Sequence, residues 1–245
     1  MSTSYEQLSH HREQQGRAPE VTDGRILEGE LRATAQEIVD KYPHSRSAVL
    51  PLLFLVQSVE GYVTEAGMRE VAEILGMTPA QVLATGSFYS MLKKEPQGEY
   101  LISVCRNITC THMGARKLVD AVEERLGIEV GQTTGDGRFT LETAECLATC
   151  DGAPSMQINY EDFYNVTNDS LVAAIDGLEH GAEVTSVHGE PVRPAKEISY
   201  ETAVAGIHRP MGADVEARTV AGESPRADMA PGVRPKETGD RDSDA

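Results

Sequence analysis

The chain has 245 residues, 40% of them hydrophobic but only 5% aromatic, with no Trp; this allows one or two domains around a modest core and leaves part of the chain unpacked. Its 39 acidic against 22 basic residues give a net charge of −17, which excludes nucleic acid and anionic membrane surfaces as direct partners, since both would repel it. The longest apolar run, AVLPLLFLV at 48–56, is too short to cross a bilayer and contains a proline, so no direct membrane insertion is expected.

The first 25 residues are polar, without an apolar h-region or any periodicity. They are expected to be disordered and to carry no secretory leader, which predicts a cytoplasmic protein. From Ile26 the pattern changes: Ile26, Leu27, Leu31, Ala35, Ile38, Val39 and Tyr42 recur at helical spacing and stop at Pro43. Ser45 or Ser47 is placed to cap a second helix that tolerates Pro51 near its first turn. Met68, Val71, Ala72 and Leu75 predict a third helix over Glu65–Leu75, ended by Gly76. Thr78-Pro79-Ala80-Gln81 then reads as a capping box with Pro at the first helical position. Residues 26–96 are thus expected to form a helical bundle, with Phe88 and Tyr89 in its core and a partner docking on it.

Past KKEPQG (93–98) the texture becomes β-like. Glu99–Val104 alternates and runs into Cys105; Gly114–Leu126 is amphipathic with Leu118, Val119, Val122 and Leu126 on one face. Phe139–Thr143, Ser155–Tyr160 and Phe163–Val166 are strand candidates, and Ser170–Leu178 is a closing helix. A cysteine loop after the first strand of such an order predicts a thioredoxin-like α/β domain over 97–183. After that the apolar period vanishes and prolines punctuate a polar stretch, so 184–245 is expected to be a largely disordered tail. The fold class is α+β.

The four cysteines carry the chemistry. Their spacing is Cys105-x4-Cys110 and Cys146-x3-Cys150, on two loops that follow different strands. In a reducing compartment such thiols point to metal ligation or redox work rather than to structural disulfides. Two thiolates per iron is what a [2Fe–2S] cluster requires. Structural zinc favours tight Cys-x2-Cys knuckles, so the wider gaps favour the cluster and leave a four-Cys zinc module as the rival. A thioredoxin-type redox disulfide would need Cys-x-x-Cys, which neither pair has. Cys110-Thr111-His112 looks like half of a Rieske site, but Ala153 stands where its partner His would be. His112 is therefore read as a surface residue or one that supports a ligand. Glu145 and Asp151 flank the second pair and are candidates for lowering a cluster's reduction potential.

The stretch from Ser47 to Cys110, with its Phe88-Tyr89-Ser90-Met91 segment, and the later AECLATCDGAPSMQINYEDFYNVT resemble the 24-kDa-type family. That family is the E-type, [2Fe–2S]-binding subunit of bacterial NADH:quinone oxidoreductase, respiratory complex I, and the resemblance covers about 30–182. It implies an N-terminal helical bundle, a thioredoxin-like ferredoxin domain, and one [2Fe–2S] cluster on Cys105, Cys110, Cys146 and Cys150. It implies a partner subunit carrying FMN and the NADH site, other peripheral-arm subunits, and attachment to the cytoplasmic face of the inner membrane through them. The equivalent diaphorase subunit of an NAD-reducing hydrogenase or an NAD-linked formate dehydrogenase would share the same module. The family often reads Gly-Ala-Cys-Val-Asn-Ala-Pro where this chain has Ala148-Thr149-Cys150-Asp151-Gly152-Ala153-Pro154, and Thr109 stands where a Pro commonly precedes the second cysteine. No Gly-x-Gly-x-x-Gly or Walker loop is present, and no catalytic residue is expected on this chain.

Overall fold

A computed structural model describes residues 25–208. They form two compact units: residues up to Glu95 with Thr202–Val204, and Pro96–Glu201 with the residues after Val204.

The first unit is helical: α1 (Glu30–Asp40), a 3-10 turn (Ser45–Ala48), α2 (Val49–Glu60), α3 (Glu65–Leu75) and α4 (Pro79–Phe88). α3 and α4 start where the sequence predicts. Thr64 accepts from the Gly67 N–H, and Thr78 and Gln81 complete the expected capping box. Pro51 sits in the first turn of α2, where a missing N–H costs nothing. At Gly67 a Cβ would stand 2.3 Å from a Val56 methyl, so α2 and α3 touch through a position only glycine can fill. The core is built from Leu27, Ile38, Leu52, Leu53, Leu55, Val56, Val71 and Val82. Buried Gln57 accepts from the Lys93 N–H at 2.8 Å and donates to the Met91 carbonyl at 3.2 Å, fastening the segment after α4 to α2.

Three expectations for this unit are corrected. The first helix begins at Glu30 rather than at Ile26, because the N–H groups of Ile26 and Leu27 donate to the buried Glu70 carboxylate, at 2.8 and 3.2 Å. Neither Ser45 nor Ser47 caps the second helix: Ala48 stands at its N-cap and Ser45 reaches the Leu75 carbonyl instead. Phe88 and Tyr89 are not core residues. The inner face of α4 is set by Val82 and Gly86, so Phe88 falls on the opposite side, 80% exposed, with its ring edge-on to Tyr89 at 5.2 Å.

The second unit is a mixed sheet in the order β2-β1-β3-β4. Its strands are β1 (Tyr100–Cys105), β2 (Phe139–Ala144), β3 (Met156–Ile158) and β4 (Glu161–Phe163). β1 and β2 are parallel, so the chain must cross over between them, and it does so through α5 (Ile108–His112) and α6 (Ala115–Leu126). β1–β3 and β3–β4 are antiparallel. The closing helix is α7 (Asn168–Glu179), clamped to α6 by Arg125, which pairs with Asp176 and Glu179. Ile102, Val104, Leu118, Val122, Phe139, Leu141, Ile158, Leu171 and Ile175 fill the space between sheet and helices. The last strand comes earlier than the expected Phe163–Val166: Asn159 and Tyr160 both have positive φ, making a tight two-residue hairpin that brings Glu161 straight into pairing.

The loops beside the outer strands close both sides of the sheet. Gly131 and Thr134 donate to the Leu141 and Phe139 carbonyls and Gln132 accepts from Leu141 along β2, while Val187 donates to Asp162 on β4. Val187 belongs to the segment expected to be disordered from 184, and that expectation is corrected for 184–208. Thr185 bridges Pro191, the Arg193 carbonyl accepts from Asn159, the Ala195 N–H donates to Glu99, and α8 (Ala195–His208) follows. Hydrogen bonds to the backbone of this segment leave no apolar period in a sequence, and Val184 and Val192, which pack against the core, are too few to make one. The expected disorder of 1–24 and 209–245 lies outside the described residues. Among the described residues no helix is long and apolar enough to cross a membrane.

Candidate metal centre

Cys105 is the last residue of β1, and its register partner on β2 is Ala144, also the last residue of its strand. The parallel pairing therefore starts both cysteine loops at the same end of the sheet. The first loop leaves β1 through Arg106 and Asn107; the Asn107 carboxamide accepts from Ile108 N–H and opens α5, which carries Cys110. The second leaves β2 through Glu145, reaches Cys146, and continues to a short 3-10 turn (Cys150–Gly152). The Arg106 N–H donates to the Ala144 carbonyl at 2.9 Å, and the Arg106 guanidinium pairs with the Glu145 carboxylate. Both side chains are mostly exposed, so the ion pair contributes no more than ~1 kcal/mol. Its effect on the site is to offset the negative charge at Glu145 beside Cys146.

All four cysteines are free thiols: Cys105 and Cys110 are buried, Cys146 and Cys150 are exposed. The buried pair is held from below by Ser155, which is fully buried just ahead of β3. Its carbonyl accepts from the Cys105 N–H at 3.2 Å, and its hydroxyl lies 3.5 Å from Cys110 Sγ. Thr149, the residue before Cys150, donates its hydroxyl proton to Ser155 Oγ at 2.6 Å.

The exposed pair is shaped by backbone. Ala148 has φ of 59°, a conformation that costs a residue with a Cβ ~1–2 kcal/mol, and this turn lays its N–H on Cys146 Sγ at 3.3 Å. Gly152 packs against Tyr164 so closely that a Cβ would be 2.3 Å from the ring. Asn165 and Val166 donate to the Gly152 and Pro154 carbonyls. The Tyr164 ring also stands edge-on to His188, whose Nε2 lies 3.3 Å from Asp162. Asp151 and His112 are exposed.

Two pairs of thiols on adjacent loops, with amide and hydroxyl donors beside their sulfurs, are a donor set that fits a [2Fe–2S] cluster. Among the described residues no three His, Cys, Asp or Glu side chains are grouped as one metal ion would need. The sequence alone picks out the cysteines but misses Ser155, Thr149, Arg106 and Tyr164. Ser155 looks like the start of an ordinary strand until β3 is laid beside β1.

Residues 35–179 match the family model described as thioredoxin-like [2Fe-2S] ferredoxin. Over 180 residues the chain is 41% identical to the E subunit of NADH-quinone oxidoreductase from Mycobacterium tuberculosis strain H37Rv, covering 74% of this chain and 71% of that one. It is 34% identical over 166 residues to the E 2 subunit of the NADH-quinone oxidoreductase of Rhizobium meliloti, covering 68% of this chain and 99% of the relative. NADH-quinone oxidoreductase subunit 2 of Thermus thermophilus is 37% identical over 155 residues, 62% of this chain and 86% of the relative.

Proposed function

Because this chain belongs to the thioredoxin-like [2Fe–2S] ferredoxin family and to the E-subunit family of NADH-quinone oxidoreductases, we propose that Cys105, Cys110, Cys146 and Cys150 hold one [2Fe–2S] cluster and that the chain relays single electrons in such a complex. The observation that carries this reading is the register of β1 and β2, which starts both cysteine loops at one end of the sheet. Bound there, the cluster supplies reversible one-electron chemistry. The protein's own residues provide placement and electrostatics. The buried Cys105 and Cys110 and the exposed Cys146 and Cys150 would hold it, and the Ala148 N–H and Ser155 hydroxyl would stabilise negative charge on the sulfurs.

With no dinucleotide-binding loop of its own, this chain leaves the two-electron step to a partner subunit that carries FMN and the NADH site. It takes up one electron from that partner, on the way to quinone. That partner docks on the helical unit, where Leu83, Phe88, Tyr89 and Met91 are apolar side chains open to water. Attachment to the cytoplasmic face of the inner membrane runs through the other peripheral-arm subunits.

The test is anaerobic EPR with iron and sulfide analysis on the purified chain before and after dithionite. Two irons and two sulfides per chain with a rhombic signal on reduction are expected. A colourless, EPR-silent protein carrying zinc would overturn the relay and make the chain a structural module.

A further inference from the structure

We propose that Thr149 and Ser155 form a buried hydroxyl relay that donates a hydrogen bond to Cys110 and raises the reduction potential of the site, an inference that rests on the four-cysteine reading above. A serine hydroxyl has one proton and two lone pairs. Thr149 gives its proton to Ser155 Oγ at 2.6 Å, so Ser155 keeps its own proton to give, and Cys110 Sγ lies within sulfur hydrogen-bond distance at 3.5 Å. A cysteine that ligates a metal is a thiolate, which can only accept. The direction of the relay is therefore set: Thr149 to Ser155 to Cys110.

Burial makes the relay consequential. Thr149 is 7% exposed, Ser155 0% and Cys110 1%, so water does not compete for these protons and their electrostatic weight is large. Reduction adds negative charge to the sulfurs, and a donor aimed at one of them stabilises the reduced state more than the oxidised one. Thr149 polarises the Ser155 hydroxyl and makes it a better donor. Thr149 adjoins Cys150, so the relay also ties the exposed cysteine loop to the buried one. The bond that holds Cys105 uses the main-chain carbonyl of Ser155 and survives loss of the hydroxyl, which lets one substitution separate tuning from placement. Ser155 and Thr149 are positioning residues: they act on the metal site through Cys110.

The experiment is an EPR-monitored redox titration of the full chain and of Ser155→Ala, Thr149→Val, Thr149→Ser and the Ser155→Ala/Thr149→Val pair, each first assayed for iron and sulfide. Ser155→Ala is expected to keep its cluster and titrate at a lower potential. Thr149→Val should shift the same way by less, Thr149→Ser should match the unaltered chain, and Thr149→Val should add nothing once Ser155 is Ala, as coupled neighbours behave. An unchanged or higher potential in a fully loaded Ser155→Ala protein overturns the relay. If Ser155→Ala fails to load, Thr149→Val decides, and a potential equal to that of the unaltered chain overturns it. Absence of a cluster from the unaltered chain would overturn the function reading itself, which the iron assay reports separately from the potential.

Discussion

The two cysteine loops are held by different means. The first is an extension of regular structure: Cys105 ends a central strand, Cys110 sits on a helical turn, and both sulfurs are buried. The second has almost no regular structure. Cys146 and Cys150 are exposed, and their loop is fixed by a left-handed Ala148, a glycine pressed on Tyr164 and a handful of main-chain bonds. The first loop derives its position from the core, and the second from local contacts that can be removed one at a time. A rigid half and a contact-built half suit a cofactor that must be both anchored and reached from outside.

Replacing each cysteine by serine is the strongest way to break this comparison. All four variants should lose the cluster, because each removes a thiolate from a set that has none to spare. In the cluster-free proteins the difference should appear: Cys105→Ser, which buries a hydroxyl, should lower unfolding stability by ~1–3 kcal/mol, Cys110→Ser by less because the Ser155 hydroxyl stands beside it as a partner, while Cys146→Ser and Cys150→Ser leave it unchanged. Urea unfolding of the four cluster-free variants checks this; equal losses for all would mean that the loops are equally embedded.

Gly152→Ala probes the second loop without touching a ligand. A Cβ at 2.3 Å from the Tyr164 ring forces the turn or the ring to move, at a cost of ~1–3 kcal/mol. Iron content per chain should fall together with the melting temperature. Gly114→Ala, at the end of the first loop, is the control: φ is +103° but nothing lies within 4 Å, so it should cost stability and keep the iron. Full iron in Gly152→Ala would show that the Tyr164 contact does not position Cys150.

The smallest effect is electrostatic. Asp151→Asn removes a negative charge next to Cys150 and should raise the midpoint potential, more at low salt than at high, since the group is exposed and screened. An unchanged or lower potential would reject Asp151 as a tuning group. Glu145, the other candidate in the sequence, already has its charge offset by Arg106, a partner that no spacing rule finds because it lies 39 residues away on the other loop.

What could be read in the sequence divides along similar physical lines. α3, α4, β1 and α6 announce themselves through apolar period, capping residues and glycine stops. The cysteines announce themselves because a thiol pair has few other uses. Ser155 and Thr149 do not, since a hydroxyl is informative only once its neighbour across the sheet is known. Nor does the ordered stretch 184–208, which the backbone of Arg193, Ala195 and Val187 ties to Asn159, Glu99 and Asp162. The start of α1 is misread for a related reason: Glu70, 43 residues from Leu27, takes the N–H groups that would have begun the helix earlier.

The loops that lie along β2 and β4 have a consequence for assembly. A bare outer strand invites another chain to add to it, by design or by accident. Here the polar backbone of Phe139, Leu141 and Asp162 is already occupied from within the same chain. Neighbouring subunits are thereby denied strand addition at those positions and must recognise side chains, and copies of this protein have no open edge there on which to stack into fibres.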